Sequence, residues 1–547
     1  MFSKIRELSK NITVYGLGDV AVSVINFLLL GVYVLFFSPA DYGVISVLGA
    51  LEVIAKIVFR FGLDGSFMRF YYDAGDDDGR RQLASTIGFF LLAFDGAVLV
   101  VLLVAAPWLS VSLLGSGAYV NALRLMLINT FAIGFTFIPF HVLRMQQRTK
   151  TFSLLTLIRS VLTIVARLVL VTKFRLGITG LYLADVLVTV VVMAALARWF
   201  APLIRPLFSA ETLRESLTFG LPRVPHAAAQ QVTAVGDKFI LTLLNVPMTA
   251  IGLYGVAVSF GLAQKLFLNA FESAWAPFYY ATIREPDAPL VFRTIATEGV
   301  AVLALLTAGI SAIGRDALMA MTHGRLLAPA DPRWAEVSLV VACTSLGVFF
   351  QGIYLLSSIG LNITKRSQYY PAATITAAAA NIGLNFLLIP RLGIVGAGWA
   401  NAIAYAVQAV LGYVLSQRFY PIAYEWGRIA RVLAAASAGY ACAMLLPSMH
   451  LVTNMRSTLA SVPDVLMRGT VVVGVFAALL AATGFFHPGE IAALRALRRR
   501  GGPLKAIPRA PDSTEMAGDI VATDMAVPMP EDAVARAPED DVEVRQK

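Results

Sequence analysis

Apolar runs of about 20 residues recur from near residue 11 to near residue 486, and a run of that length crosses the hydrocarbon core of a bilayer as a helix. In lipid every backbone polar group needs a partner within the protein, so helices and closed barrels are the available solutions. These runs lack the alternation of barrel strands. Composition agrees, with 58% hydrophobic and 14% charged residues and a mean hydropathy of +0.73, where soluble domains hold roughly 45–50% and 25%. The pattern predicts an all-α polytopic membrane protein of about fourteen spans: 11–37, 42–66, 83–107, 119–142, 152–172, 177–199, 217–244, 249–274, 293–313, 337–360, 370–389, 394–416, 427–447 and 465–486.

Orientation follows from the excess of Lys and Arg in cytoplasmic loops. With the N-terminus inside, the inner connections hold Arg69, Arg80, Arg81, Arg144, Arg148, Lys150, Arg205, Arg214, Arg284, Lys365, Arg366 and Arg418, and the outer ones hold fewer. An even number of spans places both termini in the cytoplasm. The run after Lys10 is too long for a cleavable signal core and reads as the first span. Cys343 and Cys442 fall within apolar helices and suggest neither a disulfide nor a metal site. The connection from about Gly314 to Glu336 is too short for a soluble catalytic domain. Beyond Pro488 a basic stretch suited to lipid headgroups precedes an acidic, Pro- and Ala-rich tail that should be disordered.

The two halves echo one another in order. Tyr15-Gly16-Leu17 matches Phe219-Gly220-Leu221, Tyr42-Gly43 matches Tyr254-Gly255, and Phe70-Tyr71-Tyr72 matches Phe278-Tyr279-Tyr280. Arg175-Leu176-Gly177-Ile178-x-Gly180 enters the sixth span as Arg391-Leu392-Gly393-Ile394-x-Gly396 enters the twelfth. Two homologous six-helix bundles are expected, residues 1–205 and 206–420, with two added spans in 421–487 and a tail from 488 to 547. Such repeats place a substrate site between them and work by rocking.

Charges inside the spans are the second constraint. Glu52, Lys56, Arg60 and Asp64 recur every four residues on what reads as one helix, Leu51–Phe70, and share a face. Two readings stay open: a self-neutralising ladder that snorkels to the surface, or the wall of a polar cavity. The first half also holds Asp19, Asp95, Arg159, Arg167 and Asp185 within spans. With Glu52 and Lys56 these make seven, and at about 3 kcal/mol each, seven charges turned to lipid would cost on the order of 20 kcal/mol, so a wet cavity or mutual pairing is expected. In the seventh span Arg223, His226, Gln230, Thr233 and Asp237 form a second polar face, loosened by Pro222 and Pro225. Lys238 and Lys265 add cations, and Asn381, Asn385 and Asn401 suit hydrogen bonds between helices. The Asp76–Asp78 run reads as a solvated turn, and no catalytic or phosphate-loop motif stands out.

The stretches YGLGDVAVSVINFLLLGVYVLFFSPADYGVISV (Tyr15–Val47) and NIGLNFLLIPRLGIVGAGWANAIAYAV (Asn381–Val407) resemble bacterial polysaccharide flippases of the O-antigen and capsule type. Their superfamily also contains multidrug extruders and peptidoglycan-precursor flippases. The resemblance implies a fourteen-helix exporter, not an enzyme, in the bacterial inner membrane, which moves an undecaprenyl-pyrophosphate-linked oligosaccharide to the outer leaflet by alternating access. It implies a monomer that meets membrane lipids and other polysaccharide-assembly proteins, takes no cofactor, and draws on a proton or sodium gradient. A pyrophosphate head calls for cations, for which Lys56, Arg60, Arg159, Arg167, Arg223, Lys238 and Lys265 are candidates. Asp19, Glu52, Asp64, Asp95 and Asp237 would carry the coupling ion or balance charge. A cation-coupled drug extruder and a peptidoglycan-precursor flippase are the alternatives.

Overall fold

The computed structural model describes residues 31–447, apart from 147 and 284, and residues 461–485. Asp19, most of the first span and the C-terminal tail fall outside these residues. Twelve described helices are long and apolar enough to cross a membrane. A thirteenth expected span, the seventh, is helical as Ala210–Gly220 (α8) and Val224–Leu243 (α9). The polar face of Arg223, His226, Asp237 and Lys238 keeps it out of the apolar set. Between the two pieces the chain turns through Leu221–Arg223, where Pro222 and Pro225 each remove a backbone donor.

The first half comprises α1 (Pro39–Val58), α2 (Leu63–Asp73), α3 (Asp77–Phe90), α4 (Gly96–Leu114), α5 (Val120–Met145), α6 (Thr149–Leu168) and α7 (Gly177–Phe200). Local chemistry sets the starts: Ser38 and Asp41 form a reciprocal capping box on α1, and the Asp76 carboxylate accepts from the Gly79 amide at 2.8 Å to cap α3. Asp77 and Asp78 pair with Arg80 and Arg81 at 3.1 and 3.0 Å, so the acidic run is a helix cap on an exposed face. A five-residue π turn, Leu91–Asp95, joins α3 to α4.

The second half continues with α10 (Met248–Gly261), α11 (Lys265–Thr282), α12 (Ala288–Met321), α13 (Trp334–Ser357), α14 (Ile359–Ile363), α15 (Tyr370–Leu392) and α16 (Ile394–Phe419). The helix α12 runs to Met321 and not to residue 313, so the expected long connection shrinks to Thr322–Arg333. Within the second half α13 and α15 pack on α16, and α9 packs on α15; within the first, α5 and α6 pack on α7. Across the halves, α1 lies against α9 and α10, and α2 against α8. Both Arg-Leu-Gly-Ile-x-Gly turns carry a left-handed glycine, Gly177 at φ 55° and Gly393 at φ 58°, and lead directly into α7 and α16.

Two final helices, α17 (Trp426–Leu445) and α18 (Ser461–Ala482), pack on each other and on α12. Buried charges fix them there. Arg468 of α18 meets Asp316 of α12 at 3.0 Å, while Glu425 bridges Arg428 at 3.0 Å and Arg293 of α12 at 3.5 Å. In hydrocarbon such pairs hold helices in register, because separating them strands a charge.

Candidate functional site

The charged stripe is real but is not one helix. α1 ends at Val58, the chain passes through Phe61 at φ 44° and Gly62 at φ 71°, and α2 begins at Leu63. The interruption lies where the backbone meets α8: a Cβ on Gly220 would sit 2.8 Å from the Gly62 carbonyl oxygen. The Ser66 hydroxyl donates to the Ser216 carbonyl at 2.6 Å at the same crossing. A larger residue at either glycine would part the two helices, and Gly62 also needs its left-handed conformation. The ladder pairs survive the break, with Glu52–Lys56 at 2.7 Å and Arg60–Asp64 at 3.8 Å.

On α6, Arg167 forms a two-pronged pair with Asp185 of α7, both N–H···O distances being 2.7 Å. Asp185 is 7% exposed, so this pair is the tightest polar lock in the first half. Arg159, about two turns earlier on α6, makes no salt bridge among the described residues but lies in electrostatic range of Asp185, Glu52 and Arg60. Among the described residues, Lys56, Arg60, Arg159 and Arg167 thus share a region with Glu52, Asp64 and Asp185, four cations against three anions. The surplus charge belongs to Arg159.

Arg223 belongs to the α2–α8 crossing. Its guanidinium stacks on the Phe219 ring at 4.1 Å, and a Cβ at Gly65 would lie 3.3 Å from its Nη1. Arg60, Asp64 and Arg223 therefore flank one junction between the halves. Asp95 stands apart: it is 2% exposed at the end of the π turn, with one carboxylate oxygen lacking any hydrogen bond.

In the second half Asp237 is fully buried. Its carboxylate accepts from the Tyr254 hydroxyl, from the Lys238 amide at 2.8 Å, and has the Lys238 ammonium at 3.9 Å. Asn401 adjoins the Tyr254 hydroxyl. Asn381 and Asn385 bond within their own helix, the Asn385 amide reaching the Asn381 carbonyl at 2.8 Å, and not between helices as the sequence led us to expect. Lys265 lines a separate cavity of about 330 Å³ among α9, α11, α13, α15 and α16. Carboxamides and tyrosines surround it, with Glu272 as the counter-charge to Lys265. Of this lining the sequence pointed to Gln230, Thr233 and Lys265; the remaining uncharged Gln and Asn in apolar spans were the overlooked signal. No group of three or more His, Cys, Asp or Glu able to hold a metal ion occurs among the described residues.

The fold is that of multi-helix membrane flippases and transporters. The chain superposes on a lipid II flippase MurJ in an inward-closed conformation with TM-score 0.63 at 14% identity, over 85% of this chain and 99% of that one. An inward-facing multidrug-resistance MATE transporter gives TM-score 0.57 at 15% identity, over 76% and 95%. A MATE transporter in its straight conformation gives 0.54 at 18%, over 78% and 96%. A comparison with curated proteins gave no match. The polysaccharide biosynthesis protein family matches residues 8–280, and the chain belongs to that family.

Proposed function

We propose that this protein moves a polyprenyl-pyrophosphate-linked oligosaccharide from the cytoplasmic to the outer leaflet of the bacterial inner membrane by alternating access. The observation that carries this reading is Arg159. It is a guanidinium in a membrane-spanning helix, within electrostatic range of Arg60, with no ion-pair partner of its own among the described residues. A pyrophosphate head supplies the charge such a group lacks, and guanidinium matches phosphate oxygens in shape and charge. Arg167 is a positioning residue in this scheme, since Asp185 already occupies both prongs of its fork. The lipid chain stays in the bilayer while the head crosses between the halves.

Asp237 is the best-placed coupling group: a fully buried carboxylate set between Tyr254 and Lys238. Exchange of a proton or sodium ion there would alter the balance between α9 and α10, both of which pack on α1 of the other half. The family supports the polysaccharide assignment, and the excess of basic residues at the Asp76 end supports a cytoplasmic location for that end.

In cells carrying only Arg159→Ala, glycan export should fall at least about tenfold, since truncating one member of a close charge contact costs roughly 2–5 kcal/mol. Lipid-linked oligosaccharide should accumulate while the protein remains in the membrane. Normal export would remove the assignment. Drug resistance without any glycan defect would select the extruder, and loss of viability with arrested cell-wall synthesis would select the peptidoglycan-precursor flippase.

A further inference from the structure

The cavity in the second half has a chemistry unlike that of the charged region in the first. Gln230 and Gln231 of α9, Asn269 of α11, Gln351 of α13 and Gln408 of α16 turn into a space of about 330 Å³, within the roughly 300–1,000 Å³ range of small-molecule sites. Five carboxamides from four helices could instead be interhelical glue, and part of the wall is. His226 meets Thr374 at 2.8 Å and Gln230 lies 3.4 Å from His226, while Gln408 adjoins Tyr354. The rest is not used that way. The side chains of Gln231, Asn269 and Gln351 make no hydrogen bond among the described residues, and the Gln351 Oε1 is buried without a donor.

The carboxamides of Gln231, Asn269 and Gln351 line the cavity with hydrogen-bonding capacity that no neighbour among the described residues takes up, so the site suits a ligand with hydrogen-bonding groups. The single cation and anion of the wall, Lys265 and Glu272, lie on one helix within electrostatic reach of each other. They leave no net charge to select an ionic ligand. A carboxamide both donates and accepts, which matches a sugar hydroxyl that does the same. Tyr354 and Tyr405 add flat apolar faces for the C–H side of a pyranose ring.

We infer that this cavity is a sugar subsite, which takes part of the glycan headgroup while the pyrophosphate is held by the cations around Arg159. The inference rests on the flippase reading and deepens it. The two ends of one headgroup are recognised by different halves of the protein, so binding engages both halves.

The test measures affinity of the purified full-length protein for two probes. One is undecaprenyl pyrophosphate; the other is the lipid-linked oligosaccharide extracted from cells lacking the protein. The wild type should bind the glycosylated lipid more tightly. The Gln231→Leu/Gln351→Leu variant should reduce that preference about tenfold, as loss of two hydrogen bonds predicts, and leave binding of the bare lipid within about twofold. Should the double variant not fold, Gln231→Ala and Gln351→Ala read the same ratio singly, each with a smaller effect. An unchanged preference, or equal weakening toward both probes, overturns the sugar subsite. Failure of both probes to bind the wild type, or binding indifferent to Arg159→Ala, overturns the flippase reading instead.

Discussion

At the scale of single residues, the two arginines of α6 have different work despite sharing a side of the helix. Arg167 is committed to Asp185 by two bonds of 2.7 Å. Arg167→Ala should therefore act on stability, since breaking a buried pair costs about 3–5 kcal/mol. Membrane levels should fall, and the double variant Arg167→Ala/Asp185→Ala should recover much of the loss. Arg159→Ala breaks no ion pair among the described residues, so its levels should match the wild type. Asp237→Asn keeps an acceptor for the Tyr254 hydroxyl; it should fold normally but lose the dependence of transport on the coupling gradient, read as transport rate with and without an imposed proton or sodium gradient. The sequence showed which charges lie in spans, because apolar context makes them conspicuous. It did not show which were already paired, since Arg167 and Asp185 meet only through the packing of α6 on α7.

Among the elements, the crossings of α1 with α10 and of α2 with α8 join the two halves, and glycines set both. A Cβ at Gly252 would overlap the Pro39 carbonyl, so Gly252→Val should destabilise the protein by about 3 kcal/mol, the scale of severe overpacking, measured as a lowered thermal midpoint in detergent. Gly62 was legible as a residue but not as a break. Four-residue charge spacing across Leu51–Phe70 looks continuous in one dimension, and only the approach of Gly220 shows why the helix must stop. The reach of α12 to Met321 was missed for a related reason. The span read from hydropathy ends at residue 313, short of Arg315 and Asp316, whereas Asp316 is buried by Arg468 from α18, a contact more than 150 residues away in sequence.

At the scale of the molecule, the described residues up to Thr483 form a bundle whose helix order follows from hydropathy, and whose polar interior follows from the cost of charge in lipid. Twelve spans appear among the described residues, and the seventh is helical but too polar to join them. What hydropathy could not convey is the division of chemistry, guanidinium groups in one half and carboxamides in the other, because uncharged Gln and Asn scarcely perturb an apolar window. The most direct measurement is the rate at which proteoliposomes holding the full-length protein translocate the extracted lipid-linked oligosaccharide. Arg159→Ala should slow it at least about tenfold at equal protein density, and Arg159→Lys, which keeps the charge but not the fork, should fall between. Equal rates for all three proteins would contradict recognition of pyrophosphate by the cations of the first half.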